Sequence, residues 1–167
     1  SADFKSSKGE LTSPALIITA KDGVTSFNRI TVGFDQQKSP SGFDIGTSGL
    51  NIEKFSMDGP AGQTLISGLT VSSNTKEAGG NLDTGLSFQF REALSGDSKQ
   101  GAGQINIQIR KLDIATLKKF RTEVQALRKE KKPQEQVNML MLGKTLELLG
   151  QLAKKSPELE ITKLTFK

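Results

Sequence analysis

The chain has no histidine, cysteine, tryptophan or tyrosine among its 167 residues. Without imidazole or thiolate, no ordinary zinc, haem or iron–sulfur site can be assembled, and Ser-His-Asp and Cys-His nucleophiles are excluded. Only carboxylate, Lys, Ser/Thr or Arg chemistry remains. The missing cysteine rules out a disulfide scaffold but does not choose between a reducing and an oxidising compartment. No run approaches the roughly 18 apolar residues of a membrane-spanning helix, and the Ser1-Ala2-Asp3 start lacks the charged and apolar regions of a secretory signal. Either the protein is soluble or a targeting segment has been removed.

What is present suits strands and turns. Seventeen glycines accompany a hydrophobic share of 34%, and a chain of this length buries enough surface to fold as one domain without a metal. Its net charge of +5 is uneven. Residues 1–112 carry 11 basic and 11 acidic side chains, and residues 113–167 carry 12 basic and 7 acidic. The whole excess sits in the C-terminal third.

Apolar residues recur with period two at Ile30, Val32 and Phe34, which predicts a strand. Gln36 to Gly42 has the composition of a turn or mobile loop. Leu50-Asn-Ile52 and Phe55-Ser-Met57 read as one strand with a phase shift, which a β-bulge would produce. Leu65, Leu69 and Val71 share a face of the next strand, roughly Gln63 to Lys76. Leu82, Leu86, Phe88 and Phe90 share a face of the one after. Gly79-Gly80 between them predicts a β-hairpin, because paired glycines supply the positive φ of a tight turn. A polar segment from Ser95 to Gly103 precedes Gln104–Arg110, whose unbroken alternation predicts a half-buried strand.

At Asp113 the period changes. Asp113 reads as an N-cap, followed at helical spacing by Ile114, Leu117, Phe120, Val124 and Leu127 in a helix to about Lys131. Pro133 suits the first turn of a second helix carrying Val137, Leu140, Met141, Leu148, Leu149 and Leu152, with Gly143 and Gly150 as weak points. After Ser156-Pro157, Leu159, Ile161, Leu164 and Phe166 read as a last strand. The expected fold is α+β: a curved antiparallel sheet of about six to eight strands, with two C-terminal helices packed on one face and a returning final strand. The expected organisation is a single domain over 1–167, with a β-rich meander over 1–112, a helical segment over 113–156 and a returning strand over 157–167.

Three stretches also carry a family resemblance. Gly68-Leu-Thr-Val-Ser-Ser-Asn-Thr-Lys-Glu77 through Leu82-Asp-Thr-Gly-Leu-Ser-Phe88, then Gly103-Gln-Ile-Asn-Ile through Leu112-Asp113, then Pro157-Glu-Leu-Glu-Ile161 resemble, in style and order, the YdgA-like family of bacterial envelope proteins. The resemblance covers about residues 50 to 167. It implies a periplasmic piece of a longer protein anchored in the inner membrane upstream of Ser1, and no activity or site residue comes with it. The basic stretch Arg128-Lys-Glu-Lys-Lys132 departs from the apolar, alanine-rich helix expected there, and residues 1 to 45 show no likeness.

Two candidate surfaces follow from the residues themselves. Lys118, Lys119, Arg121, Arg128, Lys129, Lys131 and Lys132 form a basic cluster that could meet phosphate or lipid headgroups, although a solvated helix face explains it as well. Aromatics interleaved with this charge are lacking apart from Phe120, which argues against nucleic acid. Leu86, Phe88, Phe90, Ile105, Ile107 and Ile109, with Met139 and Met141, could line an apolar groove, or could simply be core under the helices. Leu140 and Leu142 beside those methionines exceed what one core face needs and could mark a dimer contact. Gly101-Ala-Gly103 and Gly79-Gly80 do not open a helix after a strand and so are no phosphate loops. Asp83, Glu92 and Asp97 do not have calcium-loop spacing. The expectation is a non-catalytic envelope protein with no cofactor, acting on a protein partner or a copy of itself. The alternative is a lipid or apolar-ligand binding module.

Overall fold

The computed structural model describes residues 5–60, 62–129 and 134–167, with the side chains of residues 134 and 135 outside that description. It is an open antiparallel sheet of nine strands with two C-terminal helices before the last strand, one strand more than the upper end of the expectation. The strands are β1 (Ser6–Ala20), β2 (Gly23–Lys38), β3 (Asp44–Gly59), β4 (Gly62–Ala78), β5 (Asn81–Phe90), β6 (Glu92–Ser95), β7 (Ser98–Gln100), β8 (Gly103–Asp113) and β9 (Glu158–Phe166). The helices are α1 (Ile114–Lys129) and α2 (Gln134–Ala153). The strand order is β1-β2-β3-β4-β5-β8-β9, with β6 on β4 and β7 on β6. The extra strands come from the polar segment after Ser95, where Ser98–Gln100 pairs back on Ala93–Ser95. Gln36 to Lys38, expected in a turn, stays in β2, and the turn begins only at Ser39. There the buried Ser39 hydroxyl accepts from the Phe43 amide at 3.2 Å, which replaces the ladder bond the chain loses on turning.

Contacts divide the chain into two compact units. The first comprises Ser1–Lys76, Thr84–Gln108 and Glu160–Lys167. Its register is continuous: Val32 lies opposite Leu11 on β1 and Leu50 on β3, and Leu50 lies opposite Val71 on β4. The neighbouring row runs Ser13, Ile30, Ile52 and Leu69. Between these apolar rows lies the polar row Thr12, Thr31, Asn51 and Thr70, with hydroxyl contact between Thr12 and Thr31 at 3.3 Å and Asn51 donating to Thr70 at 3.2 Å. Alternation of this kind gives a two-sided sheet with one apolar and one polar face.

One row breaks the ladder. Pro14, Arg29, Glu53 and Gly68 would face one another on β1 to β4, and none of them pairs, although the pairs on both sides keep one register. The row continues at Arg91, which separates β5 from β6; β6 pairs with β4 in the register that the Gly79-Gly80 turn sets for β5, so the two are one interrupted strand. Arg29 and Gly68 have left-handed φ of 43° and 61°. The apolar phase changes across this row on β2, β3 and β4. Even positions Ile30, Val32 and Phe34 give way to odd Phe27 on β2, Leu50 and Ile52 give way to Phe55 on β3, and Leu69 and Val71 give way to Ile66 on β4. The phase shift at Leu50–Met57 is therefore no single-strand bulge, which would slip the register by one; β1 to β4 and the β5/β6 strand carry the same extra residue and turn together without slipping. Beyond the turn Phe27 and Phe55 stack at 5.2 Å.

The second unit comprises Glu77–Asp83 and Ile109–Leu159. Gly79 and Gly80, with φ of 57° and 76°, make the expected two-residue turn, of type I′. Gly80 accepts a backbone bond from the first amide of α1 at Ile114, and the Asp83 carboxylate accepts from the Lys111 amide at 3.0 Å. Among the described residues of this unit Leu82, Ile114 and Leu152 are the buried apolar ones, while Leu117, Phe120, Val124 and Leu127 are half-buried, as the helical spacing predicts. Lys144 on α2 reaches Glu123 on α1 and Glu147, each at 2.9 Å, and these carboxylates raise its pKa. Lys131 and Pro133, where the first helix was expected to end and the second to begin, lie outside the described residues.

The N-cap is as expected: the Asp113 carboxylate accepts from the Thr116 hydroxyl at 2.6 Å and the Thr116 amide at 2.9 Å. Those two bonds hold its pKa below the ordinary carboxylate value. A lowered folded pKa means that the cap is fully effective above the unfolded value and fails as pH falls through the folded one. Asp113→Ala should cost about 1 kcal/mol in urea unfolding at pH 7, with the difference from wild type shrinking in acid below pH about 4.

Candidate functional site

The polar face of the first unit carries a groove where the ladder breaks. Its volume is ≈ 780 Å³, and its lining includes Arg29, Glu53, Gly68 and Arg91 from the broken row, Asn51, Thr70, Gln89 and Gln104 from the strands beside it, and Lys163 and Lys167 from the end of the chain. The broken row positions the two arginines. A side chain at Gly68 would put its Cβ 2.2 Å from Arg91 Nε, so the missing Cβ is what lets the guanidinium lie across β4. The Arg91 amide keeps one anchor, a 2.9 Å bond to the Ser67 carbonyl. Arg29 holds a left-handed backbone that non-glycine residues adopt at a cost, and such positions concentrate at functional sites. Lys167 is fixed by its own carbonyl, which accepts from Gln100 Nε2 at 2.6 Å and from the Gly101 amide at 2.9 Å.

The charge is lopsided. Four cations face one carboxylate, and the contact between Arg29 and Glu53 is long at 3.8 Å with both side chains well exposed, so it neutralises little. None of these five charged residues stood out in the sequence as part of a site. The signal of Arg29, Glu53 and Arg91 was a column of unrelated residues on separate strands, visible only once the register is known.

The opposite, apolar face is open. Among the described residues of this unit Ile52 is the one buried large hydrophobic side chain, at 7% exposure, while Val32, Phe34, Val71, Leu86 and Phe88 keep 37–40%. Of the residues proposed for an apolar groove, Leu86, Phe88, Phe90, Ile105 and Ile107 belong to this unit; Phe88 and Phe90 meet edge-on at 6.2 Å, and Phe90, Ile105 and Ile107 are half-buried. Ile109, Met139 and Met141 belong to the second unit. On α2, Met141 is half-buried, while Met139, Leu142, Leu146 and Leu149 are exposed along one stripe.

Of the basic cluster, Lys118, Lys119, Arg121, Arg128 and Lys129 are exposed on α1, with Lys119 3.9 Å from Glu123; Lys131 and Lys132 lie outside the described residues. Among the described residues, no helix is long and apolar enough to cross a membrane.

A family model for a bacterial protein of unknown function, DUF945, matches residues 1–167. The chain belongs to the DUF945 family. No curated protein and no solved structure matches it. For a DUF945 chain, surface geometry therefore has to carry the functional argument.

Gly68→Ala places a β-carbon in a left-handed position and pushes Arg91 aside. It should cost about 1–2 kcal/mol in chemical unfolding. Gly33→Ala, in ordinary strand geometry with nothing within 4 Å of its Cβ, should be neutral or stabilise by up to about 1 kcal/mol.

Proposed function

We propose that this DUF945 chain is a non-catalytic interaction module of the bacterial cell envelope, working in the periplasm and tethered by a segment upstream of Ser1. Its apolar sheet face takes a protein partner or a second copy of the chain. One observation carries the reading: Val32 and Phe34 on β2, Val71 on β4 and Leu86 and Phe88 on β5 stand 37–40% exposed, with Leu50 of β3 paired between Val32 and Val71. A sheet gains stability from having its apolar face covered, and burying the exposed part of one such Leu or Phe is worth about 2 kcal/mol. Contiguous apolar surface of this kind marks interaction sites. The envelope location rests on the likeness of residues 50–167 to the YdgA-like family.

The alternative is acyl-chain binding, which the openness of the same face also favours. Native mass spectrometry followed by organic extraction separates the two. The interaction reading expects an associated species free of acyl chains, with Phe88→Lys weakening association about tenfold or more. Stoichiometric phospholipid or fatty acid in the extract would replace it with the lipid reading.

A further inference from the structure

We infer that the groove at the broken row, on the polar side of the sheet, is a binding site for a phosphate-bearing anion. Three cations elsewhere in the same unit have acid partners, Lys8 with Asp35 at 2.7 Å, Lys38 with Asp44 at 2.7 Å and Lys99 with Glu92 at 3.0 Å, while Lys21 and Lys54 stand singly with no ion pair among the described residues. At the groove, weakly paired cations share one cavity instead of standing singly. Arg91 and Lys163 make no ion pair among the described residues, and Arg29 has only the long contact with Glu53. Four cations converging on one cavity with a single opposing carboxylate repel one another, and an anion between them relieves that repulsion.

The backbone is arranged around the same residues. Five consecutive strand segments give up a ladder pair on this row, and Gly68 leaves space that the Arg91 side chain fills. A guanidinium fork donates to two oxygens of one oxyanion at once, which favours arginine at phosphate and carboxylate sites. The lysines act as mobile point charges at the rim. Size and lining narrow the class. A cavity of ≈ 780 Å³ exceeds the needs of a lone phosphate and falls within the range of small-molecule sites. Asn51, Thr70, Gln89 and Gln104 on its walls suit hydroxyls or a second phosphate, and Phe90 is the one large apolar side chain in the lining. The ligand is then a phosphate carried on a polar body, such as a diphosphate, a glycerol phosphate or the headgroup of an anionic phospholipid.

The test titrates the 167-residue chain at low ionic strength with pyrophosphate and with glycerol phosphate by calorimetry. In parallel, its flotation is measured with vesicles of phosphatidylglycerol and of phosphatidylcholine. Arg91→Gln combined with Lys163→Gln removes two of the four charges at exposed positions, and Lys163→Gln alone guards against a folding defect, which circular dichroism reads directly. Lys38→Gln and Lys118→Gln serve as controls for general charge.

Binding of either soluble phosphate, weakened at least tenfold in the double variant, at least threefold in Lys163→Gln and less than twofold in the controls, supports a soluble phosphorylated ligand. Binding confined to phosphatidylglycerol vesicles with the same ranking supports the headgroup. The inference is overturned if neither probe binds, or if the double variant binds as well as wild type. It is equally overturned if Lys118→Gln matches the loss seen in the double variant, because the attraction would then be diffuse. None of these outcomes depends on the apolar face, which Phe88→Lys tests separately.

Discussion

The first unit depends on one constraint: an antiparallel sheet can change direction without losing its register only if all its strands spend a residue on the turn at the same place. If one strand turned alone, it would slip by one position against its neighbours and carry its apolar side chains to the wrong face. Pro14, Arg29, Glu53, Gly68 and Arg91 are that shared residue. Each has its own way of leaving the ladder. Proline has no amide to give, glycine accepts the left-handed backbone freely, and the two arginines and the glutamate project charge where the ladder has lapsed. The groove is a consequence of the same event, since a turned sheet is concave on one side and the residues released from pairing lie along the turn.

The two faces then acquire different chemistry. Rows such as Thr12, Thr31, Asn51 and Thr70 satisfy one another across strands and leave the polar face wet, with arginine and lysine concentrated at the turn. Rows such as Leu11, Val32, Leu50 and Val71 form an apolar face in which Ile52 alone of the described large hydrophobic residues is buried. On the edge strand, Lys8 and Glu10 place charge and Pro14 removes a donor, which blunts uncontrolled strand pairing. The apolar face has no comparable protection. The other edge, β9, is not guarded in this way, since Ile161, Leu164 and Phe166 stand 54–60% exposed on it.

Much of this was legible in the residues. The alternation at Gln104–Arg110, the Gly79-Gly80 turn, the Asp113 cap and the spacing of Ile114, Leu117, Phe120, Val124 and Leu127 are local signals, and each specifies its element without help from distant chain. The phase shift between Ile52 and Phe55 was also visible, but its nature was not, because one strand cannot reveal whether its neighbours shift with it. Ser98–Gln100 was hidden by its polarity, since a short exposed strand has no apolar alternation to display. The groove was hidden for a related reason. Arg29, Arg91 and Lys163 are 62 and 72 residues apart in sequence, and only the register brings them together; the contiguous basic run on α1 stood out instead because it needs no folding to be seen.

The most direct test of the shared turn is solution NMR of the backbone around Arg29. The account predicts a left-handed φ there from the amide–Hα coupling and the Cα and Cβ shifts, together with cross-strand contacts between Phe27 and Phe55 on one side and between Ile30 and Ile52 on the other. An extended Arg29, or contacts offset by one residue on either side, would mean that the strands do not turn together and that the groove is not built as described.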